Sequence, residues 1–180
     1  TNAPMMECKA ALTEAGGDMD KAIDLIRKKF AGIQAKRGDR ETAEGRVAIC
    51  IDPALKVGAI VEVRCESAPV AKNEHFIQLA DDLAKQIAQK DPKTVEELLA
   101  QPFIGDAKKT VNDRIGDVVG LIRENMKPAR FVRLAGGHFG GYVHHDGSVG
   151  VMLQVEGEKV SDEHVLRDVC IHITARNPVA

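Results

Sequence analysis

Four residues near the end of the chain carry side chains that could bind a metal ion or transfer protons: His138, His144, His145 and Asp146. A metal site requires ligands that converge from fixed elements of structure. His144 and His145 are adjacent in a segment that we predict to be a β-strand, so their side chains should point to opposite faces. We therefore interpret the histidines as polar surface groups or partner contacts, and we predict no metal site.

The glycine-rich segment 136–141 (GGHFGG) resembles a phosphate-binding loop only in composition. A phosphate cradle leads from a strand into the N-terminus of a helix, whereas this segment leads into a predicted strand, so we interpret it as a tight bend. The chain shows no Ser-His-Asp or Cys-His spacing and no carboxylate pair suited to acid–base work. We predict neither catalysis nor a cofactor, and we keep an enzyme that uses His144, His145 and Asp146 as an alternative.

The composition favours a folded protein and argues against two classes of partner. The 180 residues are 44% hydrophobic and 29% charged, as in an ordinary globular domain. A net charge of −2, the absence of Trp and a single Tyr argue against nucleic-acid binding. The lack of an apolar run near ~18 residues argues against a membrane span. The four cysteines lie in apolar segments without a CxxC pair, which predicts buried, reduced thiols and a cytoplasmic location.

Two segments share one pattern, in which a strand is followed by a corner and a helix. The strand VGAIVEV begins at Val57, and the related strand VGVMLQV begins at Val149. Such an internal repeat predicts two related α+β subdomains. The corner of the first copy, residues 66–73, is longer than that of the second, and long loops on rigid scaffolds often carry function.

The other elements follow from apolar periodicity and capping residues. We predict a helical hairpin over residues 5–30, an antiparallel pair of strands over 46–51 and 59–65, and a hairpin over 142–156 whose turn contains Asp146 and Gly147. Gly116 and Gly120 lie four apart in a helix capped by Thr110, which predicts close packing of another element. Ser161 should cap the last helix. Helical spacing predicts burial of Phe76, Leu83, Ile87, Leu166, Val169 and Ile173.

Several of these motifs resemble, in the same order, the elongation factor Ts family. They include residues 5–18 (MMECKAALTEAGGD), 62–66 (EVRCE), 70–73 (VAKN), 142–144 (YVH) and the closing helix. The resemblance extends over nearly the whole chain. It implies an α+β fold made of a partial ubiquitin-associated-like helical module (1–31), a linker (32–45), and two core subdomains (46–128 and 129–180), each with a small antiparallel sheet packed on helices. We expect the chain to be trimmed at both ends relative to the family, without the module's first helix.

The family acts as guanine-nucleotide exchange factor for elongation factor Tu, so the resemblance implies that this GTPase is the partner. It implies no cofactor, and a homodimer is one assembly that the sequence allows. The implied partner-binding residues are Met5, Met6, Ala68, Pro69, Val70, Lys72, Asn73, Ile122 and His144. Met5 falls on the apolar stripe of its helix and Met6 about 100° away, so either could belong to the core or to a contact surface.

The chain departs from the family in its corner. The family motif Thr-Asp-Phe-Val-Ala-Lys-Asn is Ser67-Ala68-Pro69-Val70-Ala71-Lys72-Asn73 here. The Asp and Phe of the motif enter the GTPase near its magnesium ion, so their replacement predicts less efficient exchange. A protein that binds elongation factor Tu on the same scaffold but exchanges nucleotide weakly is therefore the first alternative. The family's Ile-Gly-Glu-Asn is also changed, to residues 122–125 (IREN).

Overall fold

The computed structural model describes residues 3–157 and 162–176, which form seven helices and seven strands. The helices are α1 (Met5–Glu14), α2 (Met19–Arg37), α3 (Ala68–Ala71), α4 (Glu74–Lys90), α5 (Val95–Ala100), α6 (Val111–Ile122) and α7 (Glu163–Arg176). The strands are β1 (Glu44–Asp52), β2 (Val57–Cys65), β3 (Pro102–Phe103), β4 (Asp106–Thr110), β5 (Met126–Ala135), β6 (His138–Val143) and β7 (Gly150–Val155). The predicted α+β class is confirmed.

The helical hairpin α1–α2 forms as the sequence predicts. Gly16 and Gly17 both have positive φ and end α1, and the Asp18 carboxylate accepts hydrogen bonds from two amides in the first turn of α2. α2 continues to Arg37, so the first residues of the predicted linker are helical. Ile33 explains this extension, because it packs against both the hairpin core and the main core. The division into domains stays a prediction.

The central sheet is antiparallel, with strand order β1–β2–β5. β5 spans the predicted boundary between the two core subdomains after residue 128, and it pairs with β2 along its length to complete the central sheet. Local periodicity cannot reveal this partner, because the two strands are far apart in sequence. α4 covers one face of the sheet, and Phe76, Leu83 and Ile87 are fully buried there as predicted.

The β6–β7 hairpin is followed by α7, so a strand followed by a helix is present at both places of the predicted repeat. Most of the second corner, residues 158–161, lies outside the described residues. The hairpin packs closely against the central sheet, because a Cβ at Gly58 would lie 2.7 Å from the side chains of Phe139 and Met152. The glycine-rich segment bends only at Gly136 and Gly137, which have positive φ, and the rest of it belongs to β6. Ser161, the predicted cap of α7, lies outside the described residues.

The predicted buried face of α7 needs one correction. Leu166 and Cys170 are buried and Ile173 is half-buried, but Val169 is 40% exposed. Positions 166, 170 and 173 follow the four-then-three spacing of one helix face, and Val169 lies beside that face. Its burial was therefore predicted wrongly.

The two glycines of α6 allow α2 to lie close, as the sequence predicts. A Cβ at Gly120 would lie 2.2 Å from Cγ of Phe30, and a Cβ at Gly116 would lie 2.8 Å from Oε1 of Gln34. α6 itself begins at a capping box in which the Thr110 hydroxyl and the Asp113 carboxylate bond each other's backbone amides. The close packing of α2 on α6 fixes the helical hairpin on the core. In the described part of the chain, each helix is too short or too polar to span a bilayer.

Candidate functional site

The corner between β2 and α4 is a short helix, α3, rather than an open loop. Pro69 lies in its first turn, where a proline costs no helical hydrogen bond. Ala68 and Pro69 are exposed, as is Lys72 just after the helix, whereas Val70 is 8% exposed and packs in the core. Val70 therefore anchors α3, and its exposed neighbours form the outer surface of the corner.

Asn73 also has a structural role. Its side-chain oxygen accepts a hydrogen bond of 2.9 Å from the backbone amide of His75 and so caps α4. Asn is among the preferred residues at this position. Asn73, a predicted contact residue, therefore directs the chain from the corner into the long helix α4.

The loop after α6 holds the base of the corner. The Glu124 carboxylate accepts hydrogen bonds from the hydroxyl and the amide of Ser67, at 2.7 and 3.1 Å. In the opposite direction, the Glu66 carboxylate accepts a bond of 2.6 Å from the amide of Asn125. These reciprocal bonds place α3 beside Ile122, the last residue of α6, which is half-buried against the core.

The start of α1 lies beside the same end of α6. Met5 and Met6 are 85% and 73% exposed, so Met5 is not the core residue that its place on the apolar stripe suggested. Glu7, which follows them, forms an ion pair with Arg123. The exposed methionines therefore lie next to the segment that contains Ile122, and their flexible, polarizable side chains suit a contact surface.

His144 lies in the turn between β6 and β7, where its Nδ1 is 3.1 Å from the hydroxyl of Tyr142. Its ring also contacts the ring of His145, with centroids 4.3 Å apart. The prediction that the two histidines point to opposite faces is therefore wrong. β6 ends at Val143, so the strand alternation on which that prediction rested does not apply to them.

Arg46 connects this turn to the corner, and the sequence analysis missed it. Its guanidinium donates a hydrogen bond of 3.3 Å to the carbonyl of Ala71, and its side chain lies against the backbone of Gly147. The amide of Val47 also donates to the carbonyl of Gly147 at 2.8 Å. Arg46 lies in a strand whose following residues are mostly apolar, and this exception in the sequence could have indicated its role.

These contacts join the predicted site residues into one continuous series, which we call the contact edge. It runs from the methionines of α1 through the end of α6 and the corner to the turn that carries His144. Its exposed or half-exposed members are Met5, Met6, Ala68, Pro69, Lys72, Asn73, Ile122 and His144. The arrangement forms an extended surface and does not enclose a substrate-sized cavity among these residues.

The ionisable groups near the contact edge that have shifted pKa values, Glu62 and Cys65, have structural roles. Burial tends to raise the pKa of Glu62, but hydrogen bonds from Arg130 and Arg64, at 2.6 and 2.7 Å, hold that pKa below its usual range. Burial raises the pKa of the Cys65 thiol to about 11, helped by the nearby charge of Glu124. A thiol that stays protonated is a poor nucleophile.

The residues of the alternative enzyme site are also engaged locally. The Asp146 carboxylate accepts hydrogen bonds from the amide and the hydroxyl of Ser148, which hold the pKa of Asp146 below its usual range and close the turn. Residues 3–157 and 162–176 contain no cluster of three or more His, Cys, Asp or Glu side chains that could hold a metal ion. The geometry thus favours a turn over an acid–base site.

Known proteins are similar to this chain over the segments that form the contact edge. A family model described as elongation factor TS matches residues 66–180. The chain is 42% identical to elongation factor Ts of Clostridium kluyveri over 99% of its own length and 60% of the relative's. The corresponding figures are 45%, 99% and 59% for the elongation factor Ts of Thiobacillus denitrificans, and 39%, 99% and 60% for that of Trichlorobacter lovleyi.

The chain therefore spans about three fifths of the length of these curated relatives. Its matches include the corner, the loop after α6 and the hairpin that carries His144. On the strength of the family model and of these identities, the chain belongs to the elongation factor Ts family.

Proposed function

We propose that the chain binds elongation factor Tu through the contact edge and promotes release of its GDP. The main support for the proposal is the way in which the contact edge is assembled. The residues that the family resemblance implies as contacts are distant in sequence, yet reciprocal hydrogen bonds and an ion pair connect the elements that bear them. We place this activity in the cytoplasm, where translation elongation occurs.

Exchange of this kind needs no covalent chemistry. A protein that binds the nucleotide-free GTPase more tightly than the GDP-bound form shifts the equilibrium toward release by the difference in those affinities. Exposed methionines supply apolar docking area on one side of Ile122, and the corner and His144 supply contacts on the other. We therefore assign the contact edge a binding role rather than a catalytic one.

A binder that exchanges nucleotide weakly is the second candidate, and the corner favours it. Ala68 and Pro69 are exposed at the positions where the family motif has aspartate and phenylalanine. Neither residue supplies a charge or an aromatic ring. If the corner acts directly on the nucleotide site, this chain binds the GTPase but accelerates release only modestly.

The test is the rate at which a fluorescent GDP leaves elongation factor Tu as the chain is titrated in a stopped-flow instrument. We expect the rate to rise with concentration and to saturate. Binding without acceleration would favour the second candidate, and a folded chain that neither binds nor accelerates would overturn the proposal.

Matched methionine variants show whether the contact edge is responsible. We expect the double variant Met5→Ala/Met6→Ala to raise the half-saturating concentration. Met19→Ala should leave it unchanged, because Met19 is similarly exposed, at 61%, but begins α2 away from the edge. An equal effect of both variants would argue against the assigned surface.

A further inference from the structure

We propose that Arg123 is a positioning residue that fixes the helical hairpin α1–α2, and with it Met5 and Met6, beside Ile122. The inference rests on the proposed function, since it concerns how the surface for elongation factor Tu is held in place. It starts from a backbone conformation that is unusual for an arginine.

Arg123 ends α6 in the left-handed conformation, with φ 65° and ψ 31°. This position after a helix is most often taken by glycine, because a Cβ is disfavoured at positive φ. An arginine here therefore carries a conformational cost that its side chain or its carbonyl must offset. Both groups make contacts that cross from the core to the helical hairpin.

The side chain of Arg123 pairs with Glu7 in the first turn of α1, at 2.5 Å between Nη2 and Oε1. The Glu7 side chain is only 13% exposed, and Lys29 of α2 approaches the same carboxylate oxygen at 3.3 Å. A largely buried carboxylate is costly to leave without a cationic partner. The Glu7–Arg123 pair therefore ties α1 directly to the core.

The carbonyl of Arg123 makes the second contact, because it accepts a hydrogen bond from the guanidinium of Arg37 in the last turn of α2. One residue thus holds the start of α1 and the end of α2. The packing of Phe30 on Gly120 fixes the middle of α2, but it does not by itself determine where α1 lies.

Met5 and Met6 directly precede Glu7 in the same helical turn. The Glu7–Arg123 pair therefore links the turn that carries them directly to the residue after Ile122. Without the pair, α1 keeps its apolar packing on α2 and the Lys29–Glu7 contact, but it loses its direct tie to the end of α6. Binding must then also supply the free energy of holding the start of α1 in place. Loss of the pair should weaken docking and leave the maximal rate of nucleotide release unchanged.

The experiment compares Arg123→Gly with Lys56→Gly in the GDP-release titration. Lys56 also has positive φ, 50°, but it lies in the turn between β1 and β2. Both substitutions remove a left-handed non-glycine residue, and only the first removes an ion pair to α1. We expect Arg123→Gly to raise the half-saturating concentration about fivefold through lost preorganisation, while Lys56→Gly leaves it unchanged.

Two further variants separate positioning from general stability. Arg123→Lys keeps the charge and should restore most of the affinity. Glu7→Gln should weaken docking on its own but add little in combination with Arg123→Gly, since both remove the same pair. An unchanged half-saturating concentration in Arg123→Gly, or a lower maximal rate, would overturn the assignment.

The wild-type titration distinguishes this failure from failure of the proposed function. If the wild-type chain does not accelerate release, hydrogen exchange of the amides of α1 still tests the positioning role. We then expect faster exchange in Arg123→Gly and Glu7→Gln than in the wild type, and no change in Lys56→Gly. Equal exchange in all four proteins would contradict the proposal.

Discussion

Replacement of Gly120 by alanine should destabilise the protein, although alanine favours a helix more than glycine does. A Cβ at this position would lie 2.2 Å from Cγ of Phe30, and 2.4 and 2.5 Å from its two Cδ atoms. Non-bonded carbons prefer about 3.5–4.0 Å. Phe30 is only 4% exposed, and its Cγ is fixed close to the backbone. The overlap can therefore be relieved only if α2 moves away from α6.

The size of the effect follows from two opposing terms. Alanine stabilises a helix interior by about 1 kcal/mol relative to glycine, whereas overpacking costs typically about 1–3 kcal/mol. Overlap with three ring atoms puts the cost at the upper end, so the free energy of unfolding should fall by about 2 kcal/mol. Gly116→Ala is the matched control, because its Cβ meets only the flexible end of Gln34, at 2.8 Å. We expect that variant to be neutral or slightly more stable.

Urea denaturation followed by circular dichroism measures both changes, and a second background identifies the cause. In Phe30→Ala the ring is absent, so Gly120→Ala should no longer destabilise and should recover its gain in helix propensity. Equal stability of Gly120→Ala and Gly116→Ala would refute a clash with Phe30. It is equally refuted if Gly120→Ala costs the same in the Phe30→Ala background.

Three other outcomes are expected. The double variant Ala68→Asp/Pro69→Phe should raise the maximal rate of GDP release, because it restores charge and aromatic volume at the exposed corner; an unchanged or lower rate would mean that the partner is adapted to this corner. Leu83→Ala should lower the free energy of unfolding by about 2–5 kcal/mol, as measured in urea, because Leu83 is fully buried; a negligible loss would contradict the core assignment. Glu62→Gln should make the free energy of unfolding less sensitive to acid. Because the pKa of Glu62 is lower in the folded than in the unfolded protein, Glu62 stabilises the fold above its unfolded pKa, and this stability is lost as the pH falls through its folded pKa. Parallel acid-denaturation curves for variant and wild type would refute this.

Much of the fold could be predicted from local pattern. The apolar spacing of α4, the paired glycines of α6 and the order of strand and helix in the repeat each depend on residues close in sequence, and each was found as predicted. Pairing of β5 with β2 could not be predicted in this way, because many strands of similar composition could occupy that edge. The helical extension of α2 to Arg37 likewise depends on tertiary contacts.

The candidate site was predicted less completely than the fold. Motif order proposed Met6, Pro69 and His144 as contact residues, which stays a prediction, but it could not identify the groups that connect them. Arg46 and Arg123 act through partners that are distant in sequence, and no local pattern encodes such pairs. The orientation of His144 was missed for a related reason, since it depends on the residue at which β6 ends.

We propose that the chain binds elongation factor Tu more tightly without nucleotide than with GDP. Isothermal titration with the nucleotide-free and the GDP-bound GTPase tests it most directly. We expect at least ~10-fold tighter binding to the nucleotide-free form, and GDP should weaken the complex by the same factor. Equal affinity for the two forms would contradict the proposed exchange function, because a ligand that binds both states equally cannot shift their equilibrium.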